Sequence, residues 1–156
     1  MSESSCALTV EDLVPHRGGM SWLDEVCHVD ADTVHARSHI RADGLFVRAG
    51  GAGAWVGVEF MAQAVAAWAG YRARSKGGVV NIGFLLGTRR YEAFRAQFRV
   101  GETLDIEARC ELMGDNGLGM FACRILIDGE VVAEANLSVF EPPDGAQFVS
   151  TNRESV

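Results

Sequence analysis

The chain has 156 residues, which fits a single domain. Apolar residues make up 48% and charged residues 22%, so a packed core is within reach and a disordered chain is excluded. The net charge of −7 argues against general nucleic-acid binding, which runs on excess positive charge.

In chain order, Thr9-Val-Glu-Asp12 reads as a capping pattern for a short helix reaching Leu13, and Pro15 then biases Val14 away from helical geometry. His16-Arg-Gly-Gly-Met20 is a glycine-rich corner. Strands are expected over 22–29 and 33–40, with Asp30-Ala-Asp32 turning the chain between them. Residues 41–53 are glycine-rich and read as irregular. The run AWVGVEFMAQAVAAWA follows, flanked by Gly53 and Gly70. It is shorter than the roughly 20 apolar residues of a membrane span and carries Glu59 and Gln63 near its middle. It therefore reads as a buried helix continuing to about Arg74, ended by Ser75-Lys-Gly-Gly78. Strands are expected next over 79–86 and 91–100, either separate or one strand bent past Gly87. Further strands are expected over 104–113, 118–127 and 131–140. Gly114-Asp-Asn-Gly117 and Asp128-Gly129 are the hairpin turns between them.

Strands segregated around one helix indicate an α+β fold, with a curved antiparallel sheet wrapped round the helix. One such sheet leaves an edge and a helix flank bare, so a dimer is expected. The domain is expected to span 1–141, with a polar tail over 142–156. The four cysteines, at 6, 27, 110 and 123, form no C-x-x-C pair, which points to reduced cytosolic thiols rather than a zinc site or disulfides. The polar, acidic start is unlike a signal peptide, and a cytoplasmic protein is expected. Walker, Gly-x-Gly-x-x-Gly and Gly-x-Ser-x-Gly motifs are absent, and neither a cofactor nor a metal is expected.

Glu59 is the chemical outlier. Charged Glu is rarely buried without a partner, and burial would raise its pKa so that it could act as a general acid. The alternative is a structural Glu that favours the helix N-terminus or pairs with an arginine. Gln63 lies one turn on, either hydrogen-bonded to Glu59 or a core amide satisfied by backbone. Amides of Gly53, Ala54 and Trp55 at the helix start could hold a carbonyl oxygen that gains negative charge. Of the four histidines, 28, 35 and 39 lie in or beside strands and read as surface or packing residues, whereas His16 sits in a loop and is a candidate base. Residues 72–99 hold seven basic side chains against one acidic, either a solvated face or a docking patch for an acidic partner.

Three segments carry a family resemblance. Val14-Pro-His-Arg-Gly-Gly-Met-Ser-Trp-Leu-Asp-Glu-Val26 resembles the entry segment of hotdog-fold 3-hydroxyacyl-[acyl-carrier-protein] dehydratases of the FabZ/FabA type. Gly57-Val-Glu-Phe-Met-Ala-Gln63 resembles their central helix. Ile82-Gly-Phe-Leu-Leu-Gly-Thr-Arg-Arg-Tyr91, with Phe98-Arg-Val-Gly-Glu-Thr-Leu104, resembles their third strand and the turn after it. The combination looks closest to the ApeP-like dehydratases of aryl-polyene clusters.

The resemblance implies a hotdog fold, an active site at a dimer interface, and elimination of water from a 3-hydroxyacyl group carried by an acyl carrier protein. A histidine would take the Cα proton, an acid would protonate the departing hydroxyl, and helix-start amides would polarise the thioester. Glu59 matches the acid, and Ala54 falls where a glycine usually supplies such an amide. The family histidine, fourteen residues before the acid, is here Leu45. The base is then His16, or a histidine from a second hotdog subunit in a heterodimer. Site residues on this reading are Glu59 and His16 for catalysis and Ala54, Trp55 and Gln63 for substrate. A carboxylate-dependent thioesterase and a non-catalytic partner subunit are the alternatives.

Overall fold

The computed structural model describes residues 22–44, 46–75, 84–114 and 116–140, with the side chains of 84–86 left aside. The expected N-terminal helix, the glycine-rich corner with His16, Leu45 and the 142–156 tail lie outside the described residues. The strands are β1 (Glu25–Val29), β2 (Thr33–His39), β3 (Val47–Arg48), β4 (Gly51–Gly53), β5 (Phe84–Ala93), β6 (Gln97–Arg99), β7 (Thr103–Met113), β8 (Leu118–Ile127) and β9 (Glu130–Phe140). A single turn of 3-10 helix (Ala54–Val56) leads into the long helix α1 (Gly57–Ser75).

A six-stranded antiparallel sheet has the order β1-β2-β7-β8-β9-β5, and a small sheet has the order β3-β4-β6. Alternation in the sequence decides which face of the large sheet is buried. Leu104, Ile106 and Ala108 of β7, Phe121, Cys123 and Ile125 of β8 and Ala133, Ala135 and Leu137 of β9 turn inward. Helix α1 lays Phe60, Met61, Ala64, Val65, Ala67 and Trp68 into the core they form. Glu59 in its first turn and Arg72 and Arg74 in its last complement the helix dipole. Val58, Ala62, Ala66 and Ala69, on one face by their spacing, are only partly covered. This half-covered stripe is the bare flank expected of the helix.

The two hairpin turns form where expected. Asp128 and Gly129 take φ of 52° and 79°, the pair of positive values a two-residue turn between twisted strands requires. Strand β5 runs through Gly87 with register shifts on either side of it, so the bent-strand alternative holds there and β6 is a separate short strand. Several boundaries differ from expectation: β1 starts at Glu25 rather than Trp22, and β5 ends at Ala93. The helix was expected to begin directly after Gly53, but Ala54–Val56 form a 3-10 turn and α1 starts only at Gly57, while Gly53 ends β4 and pairs with Gln97. The stretch 41–53 was read as irregular, but β3 and β4 form a tight hairpin through Ala49 (φ 51°) and Gly50 (φ 88°). Two- and three-residue strands carry too little alternation to be read from sequence.

Candidate active site

The start of the helix is a fixed point. Ala54 N–H donates to the Ala96 carbonyl at 2.9 Å, and the Tyr91 hydroxyl donates to the Ala54 carbonyl. Gly57 makes the second bond possible, because a Cβ there would lie 2.1 Å from the Tyr91 Oη. Burial pushes the Tyr91 phenol above its ordinary pKa, keeping it a donor. The expectation that Ala54 offers a free amide is therefore corrected: the carbonyl of Ala96, just before β6, takes that amide, which extends the β4–β6 pairing by one residue. Trp55 and Val56 are the next amides at this terminus, where the first turn of any helix lacks internal acceptors. The Trp55 side chain is 64% exposed and folds back so closely that a Cβ on Gly53 would meet its Nε1 at 2.5 Å.

One turn into α1, Gln63 Nε2 donates to Glu59 Oε2 at 2.9 Å, and Gln63 Oε1 accepts from the Trp22 amide at 2.9 Å. Gln63 is fully buried and Glu59 is half-buried, so the carboxyl is aimed by a rigid amide. Among the described residues the buried polar or charged side chains are Ser38 and Gln63. Both bond Trp22: the Ser38 hydroxyl donates to the Trp22 carbonyl, and Gln63 takes its amide. Trp22 is thus held on both sides of its backbone, a role that the strand pattern over 22–29 did not announce.

Around Trp22 the aromatic rings form a chain from surface to core. Trp55 contacts Phe46 at 5.4 Å between centroids, Phe46 contacts Trp22 at 5.6 Å, Trp22 contacts Phe60 at 5.0 Å and Phe60 contacts Phe98 at 6.5 Å. A cleft of about 260 Å³ opens between Trp22, Phe46, Phe60, Val56 and Ile40. His39, Arg41 and Asp43 stand among its polar lining. A second concavity, of about 490 Å³, lies on the sheet face turned from the helix, among Arg90, Arg109, Arg124, Glu107 and Glu134. There Arg124 is bonded to Glu107 at 2.7 Å.

Each described histidine has a hydrogen-bond partner, and His39 also lines the cleft with Val56 and Phe60. His28 bonds Asp30, His35 bonds Asp105 and His39 bonds Thr103. Three basic residues of the 72–99 stretch are engaged by neighbours. Arg95 bonds Glu102 at 3.0 Å, Arg90 bonds Glu92 at 3.2 Å, and the Arg72 guanidinium lies 5.5 Å from the Trp68 ring centroid. Among the described residues, no group of three or more His, Cys, Asp or Glu is placed to hold a metal ion. No described helix is long and apolar enough to cross a membrane.

Against this geometry, comparison with known proteins is informative. The ApeP-like family, described as ApeP dehydratase, matches residues 8–150. The fold is similar to the dehydratase heterocomplex ApeI:P from Xenorhabdus doucetiae, with TM-score 0.83 and 27% identity over 92% of this chain and 98% of that one. It is also similar to a hypothetical thioesterase from Streptococcus pneumoniae TIGR4 solved with coenzyme A (TM-score 0.61, 14% identity, 75% and 84% covered). The PaaI protein of the phenylacetic acid degradation operon of E. coli gives TM-score 0.59 at 14% identity, with 74% and 80% covered. The last two likenesses show the hotdog fold alone. No curated protein matches the chain.

Proposed function

Since this chain belongs to the ApeP-like dehydratase family, we propose that it serves as a subunit of a 3-hydroxyacyl-thioester dehydratase in aryl-polyene-type biosynthesis, with Glu59 as its general acid. The observation that carries this reading is the Gln63–Glu59 bond at the start of α1. It orients a half-buried carboxyl on the residue before Phe60, which lines the apolar cleft, and such a carboxyl can hand a proton to a departing hydroxyl. A base takes the proton from Cα of the 3-hydroxyacyl group, the Cβ–O bond breaks, and the Glu59 carboxyl protonates the oxygen as it leaves. The products are water and an α,β-unsaturated thioester. The helix-start amides of Trp55 and Val56, rather than that of Ala54, polarise the thioester carbonyl.

The base is a histidine from a second hotdog subunit, or His16 of this chain. Leu45 replaces the family histidine, which favours a heterodimer, and the relative described as a dehydratase heterocomplex supports such an assembly. The half-covered stripe on α1 and the edge strand β5 are the surfaces a second subunit would cover. The exposed side chains of Arg74, Arg89 and Arg90 support a contact with an acidic acyl carrier protein.

The test is product formation from a 3-hydroxyacyl carrier-protein thioester, with this chain alone and with a second hotdog subunit encoded beside it. An enoyl thioester should form and Glu59→Gln should abolish it. Loss with His16→Ala would assign the base to this chain; activity only in the mixture, unaffected by that substitution, would assign it to the second subunit. Release of free thiol without an enoyl product, or full activity in Glu59→Gln, would overturn the assignment.

A further inference from the structure

The small sheet sets Arg48, Gly51 and Arg99 in one row: Arg48 pairs with Gly51 across the β3–β4 hairpin, and Gly51 pairs with Arg99 across β4 and β6. Directly opposed residues share a face, and successive residues alternate between faces. The neighbouring row is Val47, Ala52 and Phe98, and it turns to the core, where Ala52 and Phe98 are buried. The arginine row therefore turns outward, and both arginines are exposed. The glycine between them leaves the row open. Gln97 reaches over that opening, with its Cδ and Oε1 at 3.0 and 3.1 Å from where a Gly51 Cβ would stand. Arg37, Arg41, Arg90, Arg95, Arg109 and Arg124 each have a carboxylate partner. Among the described residues the guanidinium groups of Arg48 and Arg99 have none, and the Gln97 carboxamide has no hydrogen-bond partner. Glu102, three residues on from Arg99, is taken by Arg95 at 3.0 Å and by the Arg99 main-chain amide at 2.6 Å. In a chain of net charge −7, two uncompensated arginines on one row point to an anion from outside the chain.

The Cα atoms of Arg48 and Arg99 are two strand spacings apart, about 10 Å, so both side chains reach a group held above Gly51. A carboxylate has two oxygens, which one guanidinium fork occupies; a phosphate ester has enough for two forks and an amide N–H. One row further along the same face, the Trp55 indole lies over Gly53 and is 64% exposed, a surface on which an apolar part of the same ligand can rest. We infer that the outward face of the small sheet is a binding site for a phosphate ester, with Arg48 and Arg99 gripping the phosphate and the Gln97 amide donating between them. Neither Glu59 nor an elimination step enters this site, so it stands or falls apart from the dehydratase reading.

Calorimetric titration of the full chain at low salt with 4′-phosphopantetheine, and with pantetheine, which lacks the phosphate, measures what the phosphate adds. The wild type should bind the phosphorylated compound at least about tenfold more tightly. Arg48→Gln and Arg99→Gln should each cut that preference at least about threefold, and the double variant should abolish it. Both side chains are exposed, so the variants should keep the wild-type circular dichroism spectrum. Arg109→Gln, on the large sheet and paired with Glu111, is the control and should keep the preference. Absence of binding by 4′-phosphopantetheine, equal binding of the two compounds by the wild type, a preference that survives in the double variant, or an equal loss in Arg109→Gln overturns the site. Methyl phosphate separates the sources of the ligand. Affinity comparable to that of 4′-phosphopantetheine assigns the site to a small free phosphate ester, and weaker binding assigns it to a phosphate carried on a pantetheine arm.

Discussion

Gln63 and Glu59 sit one turn apart on α1, 2.9 Å between amide nitrogen and carboxylate oxygen, with the amide fully buried and the carboxyl half-buried. Because Gln63 also receives the Trp22 amide, it joins the entry segment to the helix through one side chain. Gln63→Leu removes both bonds and leaves a backbone donor facing an apolar group. It should cost about 1–3 kcal/mol in urea denaturation and lower kcat more than it raises KM. A variant as stable and as active as the wild type would mean that the bonds position nothing.

Gly57 and Tyr91 form a second coupled pair. A methyl group at Gly57 would meet the phenol oxygen at 2.1 Å, so Gly57→Ala must push Tyr91 off the Ala54 carbonyl. A loss of roughly 2 kcal/mol is expected. With Tyr91→Phe already in place the same substitution should cost at least about 0.5 kcal/mol less, which a double-mutant cycle measures.

Asp105 ties β7 to β2 through His35 at 2.8 Å and Arg37 at 3.0 Å. Burial works to raise its pKa, but the hydrogen bonds from His35 and Arg37, with their charge, outweigh it and hold the carboxyl below its ordinary value. A carboxylate depressed on folding contributes stability that is present above its unfolded pKa of about 4 and is lost as pH falls through the folded value. Asp105→Asn should therefore lower stability by roughly 1 kcal/mol at pH 7 and flatten the decline below pH 4. Thermal melts across pH 2–7 check both.

Burial pushes the Cys123 thiol up to about 12, and Cys27 stands at about 11 through burial opposed by Arg37. Thiolate, not thiol, is the nucleophile, so at pH 8 both should resist alkylation in the folded protein. Mass spectrometry after iodoacetamide should find Cys123 modified only when the chain is first unfolded.

Much of the architecture was legible in the residue order. The strands 118–127 and 131–140 alternate cleanly, Asp128-Gly129 is a turn dipeptide, and the alanine-rich run around Glu59 is too short for a membrane and too apolar for a surface helix. The pairing of Gln63 with Glu59 followed from their four-residue spacing, a local relationship. The fate of the Ala54 amide did not follow, because its acceptor lies on Ala96, and neither did the hold on Trp22, whose partners are 16 and 41 residues away. His16 and Leu45, central to the identity of the base, lie outside the described residues.

By itself the sequence determined the long strands and the helix, the turns, the family and the one carboxyl group on the apolar helix, since each depends on local periodicity or on motifs that can be read in place. Only the tertiary structure decided which helix-start amide is consumed, which rings meet, and how Gln63 joins Trp22 to Glu59. Those are contacts between segments far apart in the chain, and they exist only once the sheet has closed on the helix.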